Sequence, residues 1–170
     1  MWEIEGRDFD STEEVGLRLL GPSGQSHKFG TDTVSKRGRV HYKILIPRYF
    51  EPGQWTVVLR SRDKDDDAEE TFELPYRPPN VALEVSQPAA SPVTTLTFTS
   101  TEFQPNEPVT YWVSGPGSDG RPGGTVLAEP AGRVTFDWTI PADAQSGFWQ
   151  MTAYGEESDR QGVAPFTVEG

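Results

Sequence analysis

GRVHYKILIP, at residues 38–47, recurs 94 residues later as GRVTFDWTIP at residues 132–141. In both copies an apolar side chain occupies every second position from the third residue onward. A period of two predicts a β-strand with one buried face. The proline that ends each stretch, together with the glycine six residues further on, predicts a turn. The next strand then opens at Trp55 or Trp149, so each half has a strand–turn–strand unit with an aromatic inner face.

The same offset of 94 residues holds over most of the chain. Without gaps it aligns residues 9–74 with residues 103–168, and 16 of the 66 pairs are identical. Ordinary residue usage would give about four identities by chance. The matches are mainly glycine, proline and large apolar residues, which set turns and cores. We therefore expect a duplicated domain with copies at 1–77 and 78–170, in which positions n and n + 94 are equivalent.

Each copy is expected to be an all-β domain. The second copy shows seven short alternating segments separated by turn residues, and nowhere does a helical period appear. This pattern predicts two tandem antiparallel β-sandwiches of the Ig-like or fibronectin-III-like type. The first strand of the second copy, Val81–Val85, has no counterpart in the first copy, because the matching positions lie before residue 1. Either the chain is cut from a longer array, or the first copy manages with six strands. An absent strand leaves an unpaired edge, which we expect another molecule to cover.

The two copies meet at Pro78-Pro79. Two consecutive prolines favour an extended and stiff backbone. The sequence thus predicts that the joint keeps the two sandwiches apart as a spacer would.

Composition excludes several kinds of partner. The net charge is −11, divided as 12 − 15 = −3 over residues 1–78 and 3 − 11 = −8 over residues 79–170. Acidic halves argue against nucleic acid and anionic membrane surfaces as partners. No apolar run is long enough to cross a bilayer, so we expect no membrane insertion, and no signal peptide is evident at the start. The absence of cysteine excludes a disulfide framework, while nothing in the sequence sets the oligomeric state.

Four segments of the sequence resemble a known family. They lie at residues 103–109, 132–141, 147–155 and 165–168, and they are similar to bacterial Ig-like (fibronectin-III-like) tandem repeats of secreted and cell-surface proteins. The resemblance is closer over residues 79–170 than over residues 1–75. It implies an extracellular or cell-surface module that acts as a spacer, in adhesion or in presenting a ligand, with a protein or glycan as partner and with no catalytic residues.

Nothing in the sequence predicts catalysis. The two histidines, His27 and His41, have no cysteine or motif-placed serine beside them. Residues 21–25 lack the final glycine of a nucleophile elbow, and phosphate-binding loops, dinucleotide fingerprints and histidine metal spacings are absent from the sequence. We therefore predict a protein that is not an enzyme and that needs no cofactor.

An acidic hairpin is expected around residues 63–70. Its carboxylates alternate along the chain, which places them on one side of an extended segment; they belong to Asp63, Asp65, Asp67 and Glu69. Calcium prefers several such oxygen ligands, but the glycine and glutamate of an EF-hand loop are missing. The preferred interpretation is a solvated tip whose like charges repel. The alternative is a calcium site that stiffens an adhesin segment.

Aromatic side chains distinguish the outward face of the second copy from that of the first. The paired positions are Trp112 and Arg18, Phe148 and Gln54, and Tyr154 and Arg60. Exposed aromatics can stack on sugar rings or bury against a partner, so a carbohydrate-binding accessory module is an alternative function. A loop rich in glycine, aspartate and serine is expected at residues 117–124, and the preferred interpretation is that this loop or the neighbouring domain covers the aromatic residues.

Two more repeated positions are expected to be structural. Arg39 and Arg133 open equivalent strands, and we predict ion pairs from them to the repeated Glu13 and Glu107. The repeated tryptophans that follow the glycine turns are assigned to the two cores.

Overall fold

β-Strands are the only regular elements in the described part of the chain. The computed structural model describes residues 1–62, 67–116 and 120–170. The chain divides into two compact units, Met1–Tyr76 and Arg77–Gly170, here called the first and second units. The division lies one residue before the boundary expected from the sequence. The predicted all-β fold is confirmed.

The first unit consists of six strands in two antiparallel sheets. One sheet has the order β1-β4 and the other β3-β2-β5-β6. The strands are β1 (Trp2–Gly6), β2 (Glu14–Leu20), β3 (Ser26–Thr33), β4 (Val40–Ile44), β5 (Gly53–Ser61) and β6 (Asp67–Leu74).

The second unit repeats this plan and adds three short strands before it. One sheet has the order β13-β10-β8; the other has the order β12-β11-β14-β15-β7, with β9 also paired to β15. The strands are β7 (Val81–Ala82), β8 (Glu84–Val85), β9 (Ala89–Ala90), β10 (Thr95–Ser100), β11 (Pro108–Ser114), β12 (Arg121–Leu127), β13 (Val134–Thr139), β14 (Gly147–Gly155) and β15 (Gln161–Val168).

Each unit has its own hydrophobic core, to which both of its sheets contribute. Alternation along the strands sends every second side chain inward, as the sequence predicts. In the first unit the ring of Phe50 stacks on Trp55 at a centroid distance of 4.6 Å. In the second unit Tyr111 stacks on Phe136 of the opposite sheet at 4.0 Å. The largest fully buried side chains include Trp55 and Trp149, which confirms their assignment to the cores.

The strand registers of the two units agree under the shift of 94. In the first unit Trp55 pairs with Phe72, and in the second unit Trp149 pairs with Phe166. A β-bulge interrupts β2–β3 between Leu17 and Arg18, and another interrupts β11–β12 at the equivalent place. The indole nitrogens of both tryptophans also donate to the carbonyl oxygen four residues earlier, at 2.9 Å in each case. The duplication therefore extends to individual hydrogen bonds.

Two segments of the second unit differ from the sequence prediction. The expected strand Val81–Val85 is split, because the chain passes from β15 in one sheet to β10 in the other and buries Leu83 between them. Residues 121–124, expected to lie in a loop, belong to β12, since a bulge accommodates the glycines within the ladder.

The first unit lacks the three added strands. Among the described residues β1 pairs only with β4, and β6 pairs only with β5. Within residues 1–62, 67–116 and 120–170 no helix has the length and apolar character that crossing a membrane requires.

Candidate functional site

The predicted aromatic face lies on the outer side of the sheet formed by β11, β14 and β15. Trp112 on β11 is directly opposite Thr152 on β14, which in turn is opposite Val163 on β15. Trp112 is half-buried and Thr152 is buried. This row carries no charge, whereas the equivalent row of the first unit contains Arg18, Val58 and Glu69.

Tyr154 is buried rather than exposed, which corrects the expectation of an open aromatic face. Only 1% of its surface is accessible. Its hydroxyl group contacts the carboxylate of Asp159 and accepts a hydrogen bond from Arg77 Nη1 at 3.1 Å. The Arg77 guanidinium group lies 5.8 Å from the centre of the tyrosine ring and 3.8 Å from Asp159 Oδ1. Tyr154 therefore binds Arg77 at the beginning of the second unit, and its ring is not available to stack on a ligand.

Phe148 is exposed, with 63% of its surface accessible. It is opposite Thr167, four residues along β14 from the partner of Trp112. Four residues of an extended strand span about 13 Å. The structure thus separates Phe148 from Trp112, and the three aromatic residues do not form one continuous surface.

The acidic hairpin is described only in part. Asp63 and Asp65 lie outside the described residues, while Asp67 and Glu69 lie on β6 and are exposed. Asp67 accepts hydrogen bonds from Arg60 at 3.1, 3.0 and 2.6 Å. The Arg60 hydrogen bonds hold the pKa of Asp67 below its usual value. No group of three or more metal-ligating side chains occurs among residues 1–62, 67–116 and 120–170.

The repeated glutamates do not pair with the repeated arginines as expected. Arg39 lies 3.5 Å from Glu5 instead, because β1 is the neighbour of β4 and presents Glu5 to it. Glu13 accepts a hydrogen bond from the Ser61 hydroxyl group. The prediction of an Arg39–Glu13 pair is wrong.

Glu107 is the most completely bonded carboxylate of the second unit. It is fully buried and accepts hydrogen bonds from the backbone amides of Gln104 at 2.5 Å, Glu157 at 3.2 Å and Ser158 at 2.9 Å. The Ser158 hydroxyl group adds a fourth at 2.8 Å. Burial raises the pKa of Glu107, but these hydrogen bonds outweigh burial and leave the pKa below its usual value. Sequence reasoning identified the position as repeated, but two of the three amides that bind it belong to a hairpin about 50 residues away.

The hydrogen bonds of Glu107 stabilise the fold of the second unit. Glu107 closes the β14–β15 hairpin onto the turn before β11, because backbone amides of both segments donate to one carboxylate. A carboxylate whose lone pairs are occupied in this way is a poor general base.

No curated protein matches the chain, whereas many solved structures do. Among solved structures it is similar to the "tetra-tandem repeat in extending region of large adhesion protein", with 13% sequence identity and a TM-score of 0.41. That comparison covers 98% of this chain and 45% of the other chain, so this chain spans less than half the length of that protein.

A match to a domain family identifies the type of domain that the second unit is. The macroglobulin-like domain family matches residues 80–168, which are 89 of the 170 residues and include β7 to β15. The match agrees with the Ig-like sandwich predicted from the strand pattern. The chain therefore belongs to the macroglobulin-like domain family.

Proposed function

We propose that this chain is a non-catalytic structural module, a spacer or ligand-presenting segment, of a larger extracellular or cell-surface protein. The proposal is supported by the difference between the features that the two copies share and those that they do not. Registers, bulges and the tryptophan hydrogen bonds repeat at an offset of 94, whereas the reactive side chains on the outer sheet faces change. Tandem copies that keep a framework and vary its surface suit a protein that extends or presents something.

The structure of the joint supports a spacer. Asn80 donates its backbone amide to Gln161 O at 2.8 Å, and its side-chain oxygen accepts the Gln161 amide at 2.8 Å. Gln161 Nε2 donates to Arg77 O at 2.8 Å. Arg77 and Asn80, on either side of the two prolines, are thus bonded to the second unit.

The extracellular setting is supported by the resemblance of the repeat to bacterial Ig-like modules. An acidic and cysteine-free surface is compatible with that setting. If the module presents a ligand-binding surface, Phe148 is its exposed aromatic residue on the β14 face. Sugar binding through Tyr154 has no support, because that ring is covered by Arg77 and Asp159.

A distance measurement tests the spacer. Because the chain has no cysteine, spin labels can be attached to single cysteines introduced at the exposed Lys36 and Asp143. A spacer gives one narrow distance distribution, which the double substitution Pro78→Gly and Pro79→Gly broadens. The control Pro130→Gly, in an exposed turn, leaves the distribution unchanged. A broad distribution in the unaltered protein would contradict the proposal.

A further inference from the structure

The outer face of the sheet β12-β11-β14-β15 in the second unit carries no charged side chain. Every outward position on these four strands holds an uncharged residue, and we call this surface the neutral face. Its central row consists of Ser114, Gln150 and Pro165, which are opposite one another on β11, β14 and β15. The charged residues Arg121 and Glu156 lie only at the ends of β12 and β14. The neutral face is therefore continuous across all four strands.

Composition does not account for this lack of charge. Residues 79–170 include 11 acidic and 3 basic residues, and about a quarter of the residues of an ordinary domain are charged. The equivalent outward positions of the first unit carry both signs of charge; they are Arg18, Lys28, Arg60, Asp67, Glu69 and Glu73. The same framework therefore tolerates charge at these positions, and the second unit has none there.

Part of the neutral face is accessible to another molecule. Arg77 covers Tyr154 at one end of β14, so the accessible part extends from Phe148 to the row of Trp112 and Val163. Phe148 is exposed, while Trp112 and Val163 are half-buried. Depletion of charged residues together with accessible aromatic residues is the composition of the centre of a protein–protein interface.

The size of the accessible part predicts a weak contact. It contains three rows of outward residues along β14 and five strands side by side, since β7 and β9 both adjoin β15. Rows about 6.6 Å apart and strands about 4.8 Å apart give roughly 480 Å² on each copy. A stable complex buries about 800 Å² on each partner, and contacts below about 1,200 Å² in total are typical of transient complexes.

Charge determines which protein fits this surface. The chain carries a net charge of −11, so two copies repel one another where both present acidic residues. A two-fold axis sets a surface against its own copy, and charges of one sign on that surface would repel across the contact. The neutral face avoids this repulsion. A strongly basic partner, in contrast, would be attracted to the acidic surfaces of the chain rather than to this one.

We propose that the neutral face of the second unit docks onto the neutral face of a second copy of this chain, in a weak, two-fold related dimer. The two sheets face one another, as the sheets of a sandwich do, and Phe148 of each copy becomes buried in the contact. Weak contacts of this kind become effective when many copies lie close together. This self-association goes beyond the proposed spacer function and does not depend on it.

Sedimentation equilibrium of the full chain, at protein concentrations up to about 1 mM, tests for the dimer. We expect reversible association that strengthens about tenfold between about 10 mM and about 1 M sodium chloride, because the Debye length falls from about 30 Å to about 3 Å and the copies repel less. A dimer that is held by ion pairs would weaken instead. Concentration-dependent NMR shifts should be confined to amides of β11, β12, β14, β15 and the segments next to them.

Charged variants at the centre of the neutral face test the two-fold contact. Gln150→Glu and Gln150→Lys should each weaken association about tenfold at low salt, because each sets like charges against one another. An equimolar mixture of the two variants should associate at least as tightly as the unaltered protein, since opposite charges then meet.

Two further variants separate the contact from effects on folding. Thr167→Glu places on β15 the residue that the first unit has at the equivalent exposed position, Glu73, and it should also weaken association. The matched variant Leu45→Glu, at a residue of the first unit that is 73% exposed, should leave association unchanged.

Several results would overturn the proposal. They are a monomer at every salt concentration, association that weakens as salt is added, and shifts confined to other strands. Equal association of the mixed and the separate Gln150 variants would show that the two faces do not meet. Shifts of the neutral face caused by hydroxyethyl cellulose, without self-association of the protein, would identify a neutral glycan as the occupant and would overturn it as well.

Discussion

Glu13 of the first unit and Glu107 of the second unit occupy equivalent positions, but their carboxylates are bonded differently. Glu107 accepts four hydrogen bonds, three of them from backbone amides. Glu13 is bonded to Ser61, and its Oε2 atom has no hydrogen-bond partner among the described residues. Ser61 stands where the second unit has Gly155, and a methyl group on Gly155 would lie 2.6 Å from both Glu107 carboxylate oxygens. The carboxylate of Glu107 thus occupies space that any side chain at position 155 would need, which is why the second unit has a glycine there.

The strands of the two sandwiches also repeat in register, while among the described residues strands β7, β8 and β9 occur in the second unit alone. The two units therefore share the positions that form the sandwich, whereas other contacts of the second unit come from segments without a described counterpart in the first. Three pairs of equivalent substitutions test how far the equivalence of the two units extends.

The largest effect is expected at the two core tryptophans. Trp55→Ala and Trp149→Ala should each lower the free energy of unfolding by about 3–5 kcal/mol, because each removes a fully buried ring and leaves a cavity. Denaturant unfolding of each variant measures the loss. Phe148→Ala, at an exposed position beside Trp149, is the control and should change little. A loss below about 1 kcal/mol at only one of the two tryptophans would show that the two cores are not equivalent.

The next effect is expected at the repeated glutamates. Glu107→Gln should cost about 1.5–3 kcal/mol, because an amide cannot accept the same set of charge-assisted hydrogen bonds. Glu13→Gln should cost less, since Glu13 accepts fewer hydrogen bonds from the described residues. Parallel denaturation curves of the two variants measure the difference. Equal losses would show that the carboxylate environments do not differ in solution.

The pH dependence of the free energy of unfolding gives a further test of the Glu107 carboxylate. The folded state holds the pKa of Glu107 below that of the unfolded chain, which is about 4.3 for glutamate. The stabilisation is therefore present above that value and is lost as the pH falls through the lower folded value. The free-energy gap between the unaltered protein and Glu107→Gln should be full at neutral pH and should shrink below about pH 4. A gap that grew on acidification would contradict the assignment.

The smallest effect is expected at the paired turn glycines. Gly38 and Gly132 have positive φ values of 71° and 75°, which residues with a Cβ atom rarely adopt. A methyl group on Gly38 would lie 2.9 Å from the Phe9 carbonyl oxygen, and one on Gly132 would approach the Phe103 carbonyl oxygen more closely. Gly38→Ala should therefore cost about 1 kcal/mol and Gly132→Ala about 2 kcal/mol. Thermal melts of the two variants measure this order, and a reversed order would contradict it.

Much of the fold could be predicted from local patterns. Strict alternation assigned Trp149, Met151 and Ala153 to the buried face of β14, and the offset of 94 predicted that Trp55 and Trp149 are equivalent. These features depend on residues close in sequence or on exact repetition, so the sequence contains them.

The surface features could not be predicted in the same way. Tyr154 has an outward position on β14, yet Arg77 and Asp159 bury it, and only the folded joint brings Arg77 there. Arg39 pairs with Glu5 because β1 adjoins β4, a neighbour relation that alternation does not specify. Alternation gives the face of a residue, but what lies over that face depends on tertiary contacts.

The two bulges explain why the copies align without a gap. At each bulge one strand has an extra residue, Phe29 in β3 and Gly123 in β12, opposite the pair that its neighbour presents. Deleting that residue would leave every other pair of the ladder in place and would remove the local bend and added twist that a bulge gives a strand. In β12, Val126 would stay opposite the buried Val109 and would still pack on the core. The extra residue in both copies therefore preserves the same local bend at the edge of each sheet, independently of which side chains the strands carry.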